Sequence, residues 1–501
     1  MRGISRVIAV AATVLAACTL VGRASDGISS TDAELQYQLG NMLFSETRYQ
    51  DALVAYDKAS KSTDRDLAVR ARKGKVRAAL VVAEFTVARH EAETLRKQTP
   101  GDMEAVSLYA DSMWASGQFD EADEIYKDVL ASNPGSSRGR FGFARSLATR
   151  NRLDEALHEA LAASASAPRD GEIHFEVGDI YERMNRFPEA ANAYTNFINL
   201  LPNKDRSERA AWSRAEVSFL RAFDGKSPIQ IDSPIAQRHT VPFKLVKGKI
   251  IVRGRINGGG QRDLVLDTGS EETVISEDTA RRQDVKPITY TLSAGVGDIG
   301  LRGLQLGRLD RLEIGSLLVK NVPVLIKSPG LHGLPKREGD SFSPLALGLS
   351  VTIDYRTNQI TIGRDLPVDA ATFTLPMRMH RLAMVRGLLN DRRSAYFVVD
   401  TGGEVISIST AVAEALDMQT RHIPLKVYGV SGWDKEAFLL PGVDLAFNNL
   451  QYRNLPLVVL NLRVPSALLG FELGGIVGHK FLSNYRVTMD MDRSELRLAK
   501  Y

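Results

Sequence analysis

Two short stretches of the chain set an acid, a hydroxyl and a glycine behind an apolar run: "LVLDTGS" at Leu264 to Ser270 and "FVVDTGG" at Phe397 to Gly403. One Asp-Thr-Gly is an ordinary turn, because Asp and Gly both favour turns. Two of them, 133 residues apart and each at the end of a predicted buried strand, put Asp267 and Asp400 in equivalent settings. Carboxyls brought face to face cannot both ionise, so they share a proton and titrate as a unit. The ionised member can take a proton from a water lying between them. The protonated member can hydrogen-bond the oxygen of a carbonyl whose carbon this water attacks. Such chemistry needs no metal or organic cofactor, and the eight histidines are dispersed with no His-Glu-x-x-His spacing. "GVGDIG" (Gly295 to Gly300) fits the dinucleotide-binding string, but the residues after it alternate like strands and show no helix start, which removes that reading.

The elements that must position these acids come in two copies. "VRGRIN" (Val252 to Asn257) recurs as "VRGLLN" (Val385 to Asn390) at the same 133-residue spacing, and Gly295 in "AGVGD" answers Gly429 in "YGVSG". "LALG" ending at Gly348 is paired with "GIVG" ending at Gly478, and "VTIDYRTNQITI" with "VTMDMDRSELRL". On that pairing the first copy lacks a counterpart of "HKFLSN" (His479 to Asn484), so looser support is expected for Asp267 than for Asp400. Ser270 and Gly403 follow the two triplets, and a Ser270 hydroxyl on the Asp267 carboxylate is expected to make Asp267 the more readily ionised member.

The paired triplets, each followed by a hydrophobic-hydrophobic-Gly element, resemble the aspartic peptidases, and the lobe length resembles the retropepsin type. The resemblance implies an all-β bilobed fold, a tethered pseudo-dimer within one chain, and hydrolysis of peptide bonds by Asp267 and Asp400 without a cofactor. It further implies that Thr268 and Thr401 hydrogen-bond across to the opposite loop while Gly269 and Gly402 let the backbone pass close beneath the acids. The hairpins at Gly295, Val296 and Gly297 and at Gly429 and Val430 are expected to be flaps over a bound peptide, with Trp433 on a substrate-facing rim. A chain with this fold that binds peptides without cutting them is the alternative, and pairing of lobes between chains is left open.

Ahead of this region lies a different repeat. Met103 to Gly135 carries Tyr109, Ala110, Gly117, Phe119, Ala122, Tyr126 and Pro134 at spacings that recur from Ser137 and again from Gly171, with further units from Ala33 and Val69. The period of about 34 residues resembles the tetratricopeptide repeat, in which small residues let paired helices approach and Pro ends the second helix. The resemblance implies an all-α solenoid that docks a protein partner or substrate, closed by a capping helix over Glu208 to Phe223.

The amino terminus has Arg2 and Arg6 before an apolar run from Val7 to Ala17, followed by the chain's single cysteine, Cys18. It resembles a lipoprotein signal, which implies lipidation at Cys18 and a periplasmic place on the outer membrane of a Gram-negative bacterium, attached to the membrane by that anchor alone. The expected organisation is signal 1–17, anchor linker 18–32, solenoid 33–223, linker 224–238, first lobe 239–364 and second lobe 365–501. With 44% hydrophobic residues, 25% charged residues and a net charge of +4, these 501 residues form ordinary folded domains, and scattered basic residues give nucleic acid no track.

Overall fold

A computed structural model describes residues 28–235, 237–293, 295–296, 302–327, 340–368, 370–418, 422–429 and 432–501. Cys18, Gly297 and Val430 lie outside the described residues.

The first half is helical from Ser30–Ser45 to Glu208–Arg221 and consists of five helical hairpins plus a final helix. Helix starts follow the capping residues. Asp102 accepts from the amides of Glu104 and Ala105, Asp170 from Glu172, and Ser207 from Ala210. Asp64 caps Arg65–Val81 in the same way, so the second unit begins four residues before the Val69 start read from the repeat spacing. Within a unit the helices approach where a glycine faces a tyrosine: a Cβ on Gly178 would stand 2.6 Å from the Tyr194 ring. The array closes on itself. The Asn203 side chain donates to Glu46 Oε1 (2.8 Å), Thr47 Oγ1 to Ser207 Oγ (2.8 Å) and Arg209 to the Tyr49 hydroxyl (3.2 Å), so the first hairpin meets the start of the last helix and the solenoid makes a ring.

The second half is β-rich and duplicated. In the first lobe, Arg262–Leu266 pairs antiparallel with Lys249–Ile256 and parallel with Asp340–Phe342. In the second, Arg393–Val399 pairs antiparallel with Leu382–Leu389 and parallel with Gly475–Val477. The two lobes share a six-stranded antiparallel sheet in the order His239–Val246, Gln359–Gly363, Ser350–Asp354, Tyr485–Asp490, Glu495–Lys500 and Phe373–His380. Its centre lies where Thr352 pairs with Thr488, their hydroxyls 2.9 Å apart. The lobes therefore pair within one chain. The segment 224–238, expected as a bare linker, contributes Gln230–Ile231 to the first lobe's edge, paired with Val319 and Lys320.

The ring is docked on both lobes. Trp114 and Phe119 pack with Tyr396, Phe471 and Leu473 of the second lobe, while Phe187, Phe219 and Phe223 pack with Leu306 of the first. Arg378 of the second lobe is buried against the ring, donating to Asp123 (2.7 Å), Thr149 (3.0 Å) and Asp120. Burial of so many charged partners is favourable only because each is matched. The repeat array, expected to dock a partner or substrate, packs on both lobes and walls one body.

Candidate active site

Each triplet begins where a buried strand ends. The Asp267 amide makes a last ladder bond to Phe342 O and the Asp400 amide one to Val477 O, both 3.0 Å, and the chain then turns. Behind the turns the threonines are exchanged. Thr268 Oγ1 donates to Val399 O (2.7 Å) and accepts from the Thr401 amide (3.0 Å), while Thr401 Oγ1 donates to Leu266 O (2.8 Å) and accepts from the Thr268 amide (3.1 Å). Four bonds with all donors and acceptors buried fix one loop against the other.

The result is close contact of the acids. Their carboxyls are in hydrogen-bond contact, and the Gly269 and Gly402 amides donate to Asp267 Oδ1 (3.2 Å) and Asp400 Oδ1 (2.7 Å). A Cβ on Gly269 would come within 2.4 Å of the Asp400 carboxyl, and one on Gly402 within 2.5 Å of Asp267 Oδ1, so no larger residue fits at either place. Burial raises both acids above the usual carboxylate range. For Asp400 the charge of Asp267 adds to burial and pushes it up to about 7; the Lys249 ammonium counters the rise at both acids and is the largest counter to burial at Asp267. The two acids titrate as a unit, with Asp267 the more readily ionised side and Asp400 the side that favours the shared proton.

The cause of that asymmetry differs from the expected one. Ser270 Oγ donates to Glu272 O (2.8 Å) and not to the carboxylate. Lys249, which sequence reasoning did not single out, lies in the first lobe and donates to Gly402 O in the opposite loop. A signal existed: Lys249 occupies the position of Leu382 in the second copy, an apolar residue exchanged for a cation beside a carboxyl pair.

The support behind the loops also differs from expectation. The parallel strand pairs set Phe342 against Val477, so the counterpart of Gly478 is Ser343, and Gly348 is five residues further on, at φ +68° as the cap of a short helix. The first copy does have a helical turn behind its loop, Leu345–Leu347, in the place of His479–Leu482. What it lacks, among the described residues, is a backbone hydrogen bond from this turn to the active-site loop. His479 and Lys480 donate their amides to Gly403 O (2.8 Å) and Glu404 O (2.9 Å), whereas Pro344 has no amide hydrogen to give. The expected pairing failed because it was keyed on glycine, and the first copy has serine there.

The hairpin Val427–Gly429 with Gly432–Asp434 stands over the site and meets the other hairpin: a Cβ on Gly429 would clash with Val296 O, so the tips at Gly295 to Val296 and at Gly429 touch. Trp433, expected on a substrate-facing rim, is 38% exposed and rests against Tyr428, with ring centroids 5.1 Å apart; it is Tyr428 that lines the cavity. That cavity, about 1540 Å³, is bounded by the inside of the helical ring on one side and by Asp267, Gly269 and Ser270 on the other.

Comparison with known proteins agrees with this division. Residues 252–351 and 385–473 match the aspartyl protease family model, and residues 73–137 and 113–174 match tetratricopeptide-repeat models. Among solved structures, a thermophilic TPR protein of Thermus thermophilus is 22% identical over 36% of this chain and 98% of its own, with a TM-score of 0.31. YrrB, described as a TPR protein with an unusual peptide-binding site, is 21% identical over 36% of this chain and 92% of its own, at a TM-score of 0.22. A MamA fragment of Desulfovibrio magneticus is 15% identical over 34% of this chain and 94% of its own, at 0.23. No curated protein matches the chain. The chain thus joins a tetratricopeptide-repeat array to a two-lobed, β-rich region that matches the aspartyl protease family model.

Proposed function

We propose that the protein is an aspartic endopeptidase whose substrate reaches the carboxyl pair through the cavity enclosed by the ring. The observation that carries this reading is the reciprocal Thr268 and Thr401 bonding that holds Asp267 and Asp400 in contact. Holding two acids together costs electrostatic free energy, and a fold that only binds peptides has no use for the pair. In the proposed reaction Asp267 removes a proton from the water between the acids, and the water oxygen attacks the scissile carbonyl carbon. Asp400 gives its proton to the carbonyl oxygen; the resulting tetrahedral diol then collapses with cleavage of the C–N bond, as Asp267 passes the proton it took to the leaving amine and Asp400 recovers one from a diol hydroxyl. The touching hairpins above the site exclude water while this happens.

The test is digestion of a peptide library by the full chain and by Asp267→Asn and Asp400→Asn variants, with a transition-state analogue of amide hydrolysis as inhibitor. Cleavage lost in both variants supports the reading; equal cleavage by the variants removes it, and binding without cleavage by any form replaces it with the peptide-holding scaffold. Periplasmic attachment through Cys18 belongs to the same proposal, and its test is fatty-acid labelling that disappears in Cys18→Ser.

A further inference from the structure

The cavity wall beside Asp267 carries carboxyls that the reaction does not use. Glu176, Asp179 and Glu182 lie on one face of the helix Gly171–Arg183, Glu216 comes from the last helix, Glu208–Arg221, and Glu272 from the loop after the first triplet. All five line the same cavity as Asp267. The cations of this wall are largely committed elsewhere: Arg138 and Arg145 to Asp111 (2.5 and 2.7 Å), Arg209 to Glu172 (2.6 Å) and Arg381 to Glu271 (2.7 Å). Arg183, closest in sequence to the cluster, donates to the carbonyls of Ala148 and Met379.

The acids are not matched in the same way. Glu216 is only 7% exposed, and it has no hydrogen bond or ion pair among the described residues. Glu182 accepts from the Tyr194 hydroxyl (2.9 Å), a neutral donor. Burial raises Glu216, Glu182 and Glu272 above the usual range, and each is raised further by another acid of the group: Glu216 by Glu272, Glu182 by Glu216, and Glu272 by Glu182; the Arg381 guanidinium, already bridged to Glu271, opposes all three rises without overcoming them. Three carboxyls lining one cavity, with Glu216 buried and unpaired among them, would be favoured in their charged form by a further cation placed between them. Among the described residues no group of three such side chains is placed to hold a metal ion. A flexible ammonium or guanidinium on a long stem can reach between carboxyls that stand too far apart for metal coordination.

We propose that Glu182, Glu216 and Glu272 form a subsite that takes the lysine or arginine side chain of a peptide lying across the carboxyl pair. The inference rests on the peptidase reading for its place in the reaction, and it names the chemistry that this reading leaves open. Glu272 lies five residues after Asp267, so a cation held there fixes the register of the peptide relative to the bond that is cut.

The full chain is to be given peptides in matched pairs, each lysine replaced by norleucine in its partner. The ratio of kcat/KM within a pair is expected to favour lysine at one fixed distance from the cut bond by at least about tenfold, as one charge-assisted bond provides. In Glu216→Gln with Glu272→Gln that ratio is expected to fall towards unity. Cleavage with no lysine preference in the unmodified chain overturns the subsite and leaves the peptidase reading intact. Binding of the labelled pairs to the Asp267→Asn chain separates the two claims: tighter binding of the lysyl member supports the subsite even if no form of the chain cuts any peptide. Calcium uptake at micromolar concentration that is lost in the double variant, with no lysine preference, overturns the proposal in favour of a metal ion.

Discussion

The two lobes use the same strands to present the same triplet, yet their surroundings diverge at each position that touches the acids. Lys249 of the first lobe reaches across to Gly402 O, and its counterpart Leu382 packs with the apolar cluster under the ring. In the first lobe Asp340 is buried and accepts from Arg262 (2.9 Å), Thr279 (2.8 Å) and the Ser276 amide (2.8 Å). In the second lobe Ala395 and Gly475 stand in the places of Arg262 and Asp340, with Gly475 pressed so closely on Ser407 O that no side chain fits. The ring rests on both lobes, but its buried charged anchor, Arg378, belongs to the second, while Glu271 and Glu272 of the first face the cavity. Duplication supplies symmetry of backbone, and the divergence of a few side chains turns two equal acids into a donor and an acceptor.

The strongest test of this comparison is to remove each acid in turn. Asp267→Asn and Asp400→Asn should both lower kcat/KM by at least about a thousandfold, because a pair sharing one proton fails whichever member is lost. A large difference between the two would mean the lobes are not equal partners. Next is the second lobe's role as the ring's charged anchor. Arg378→Ala leaves the buried Asp123 with Arg150 as its remaining cation, and should cost more than about 1 kcal/mol but less than the about 3–5 kcal/mol of a wholly unpaired buried charge in denaturant unfolding. An exposed pair such as Arg281 with Asp278 should give less than about 1 kcal/mol in the same measurement.

Lys249→Met should move the acid limb of the pH–rate profile upward by about one unit, since the ammonium lowers the pKa of Asp267 and its loss makes the doubly protonated pair persist to higher pH. The same change at Leu382 should leave that limb where it is. The alkaline limb should lie near pH 7, where Asp400 loses its proton. Glu216→Gln should stabilise the fold by about 1 kcal/mol at pH 8 relative to pH 5. The folded-state pKa of Glu216 is raised to about 7, so the native chain holds a proton that the unfolded chain releases between pH 4 and 7, and stability is lost as pH rises through that window. Thermal melting at the two pH values checks the sign. The smallest effect is expected for Ser270→Ala, a shift of the acid limb under about 0.3 units, because its hydroxyl is on Glu272 O.

Much of this was legible in the residues. The helical units follow from a 34-residue spacing of small and large side chains, and the two triplets mark the acids because a buried strand that ends in Asp-Thr-Gly has few other uses. Contacts across large sequence separations were not legible. The bond from Lys249 to Gly402 spans 153 residues and that from Arg378 to Asp123 spans 255, and nothing local in either cation's neighbourhood encodes its partner. Closure of the solenoid was hidden for the same reason, since it rests on small polar contacts such as Thr47 with Ser207 and not on an apolar pattern.

That closure has a consequence for how the molecule can change over evolutionary time. An open stack of repeats can gain or lose a unit at little cost, since each unit touches only its neighbours. Here the last helix must return to the first hairpin at Ser207 and Arg209, so an extra pair of helices would part the seam. The number of units is thereby locked by geometry, and variation is channelled into the residues that line the hole.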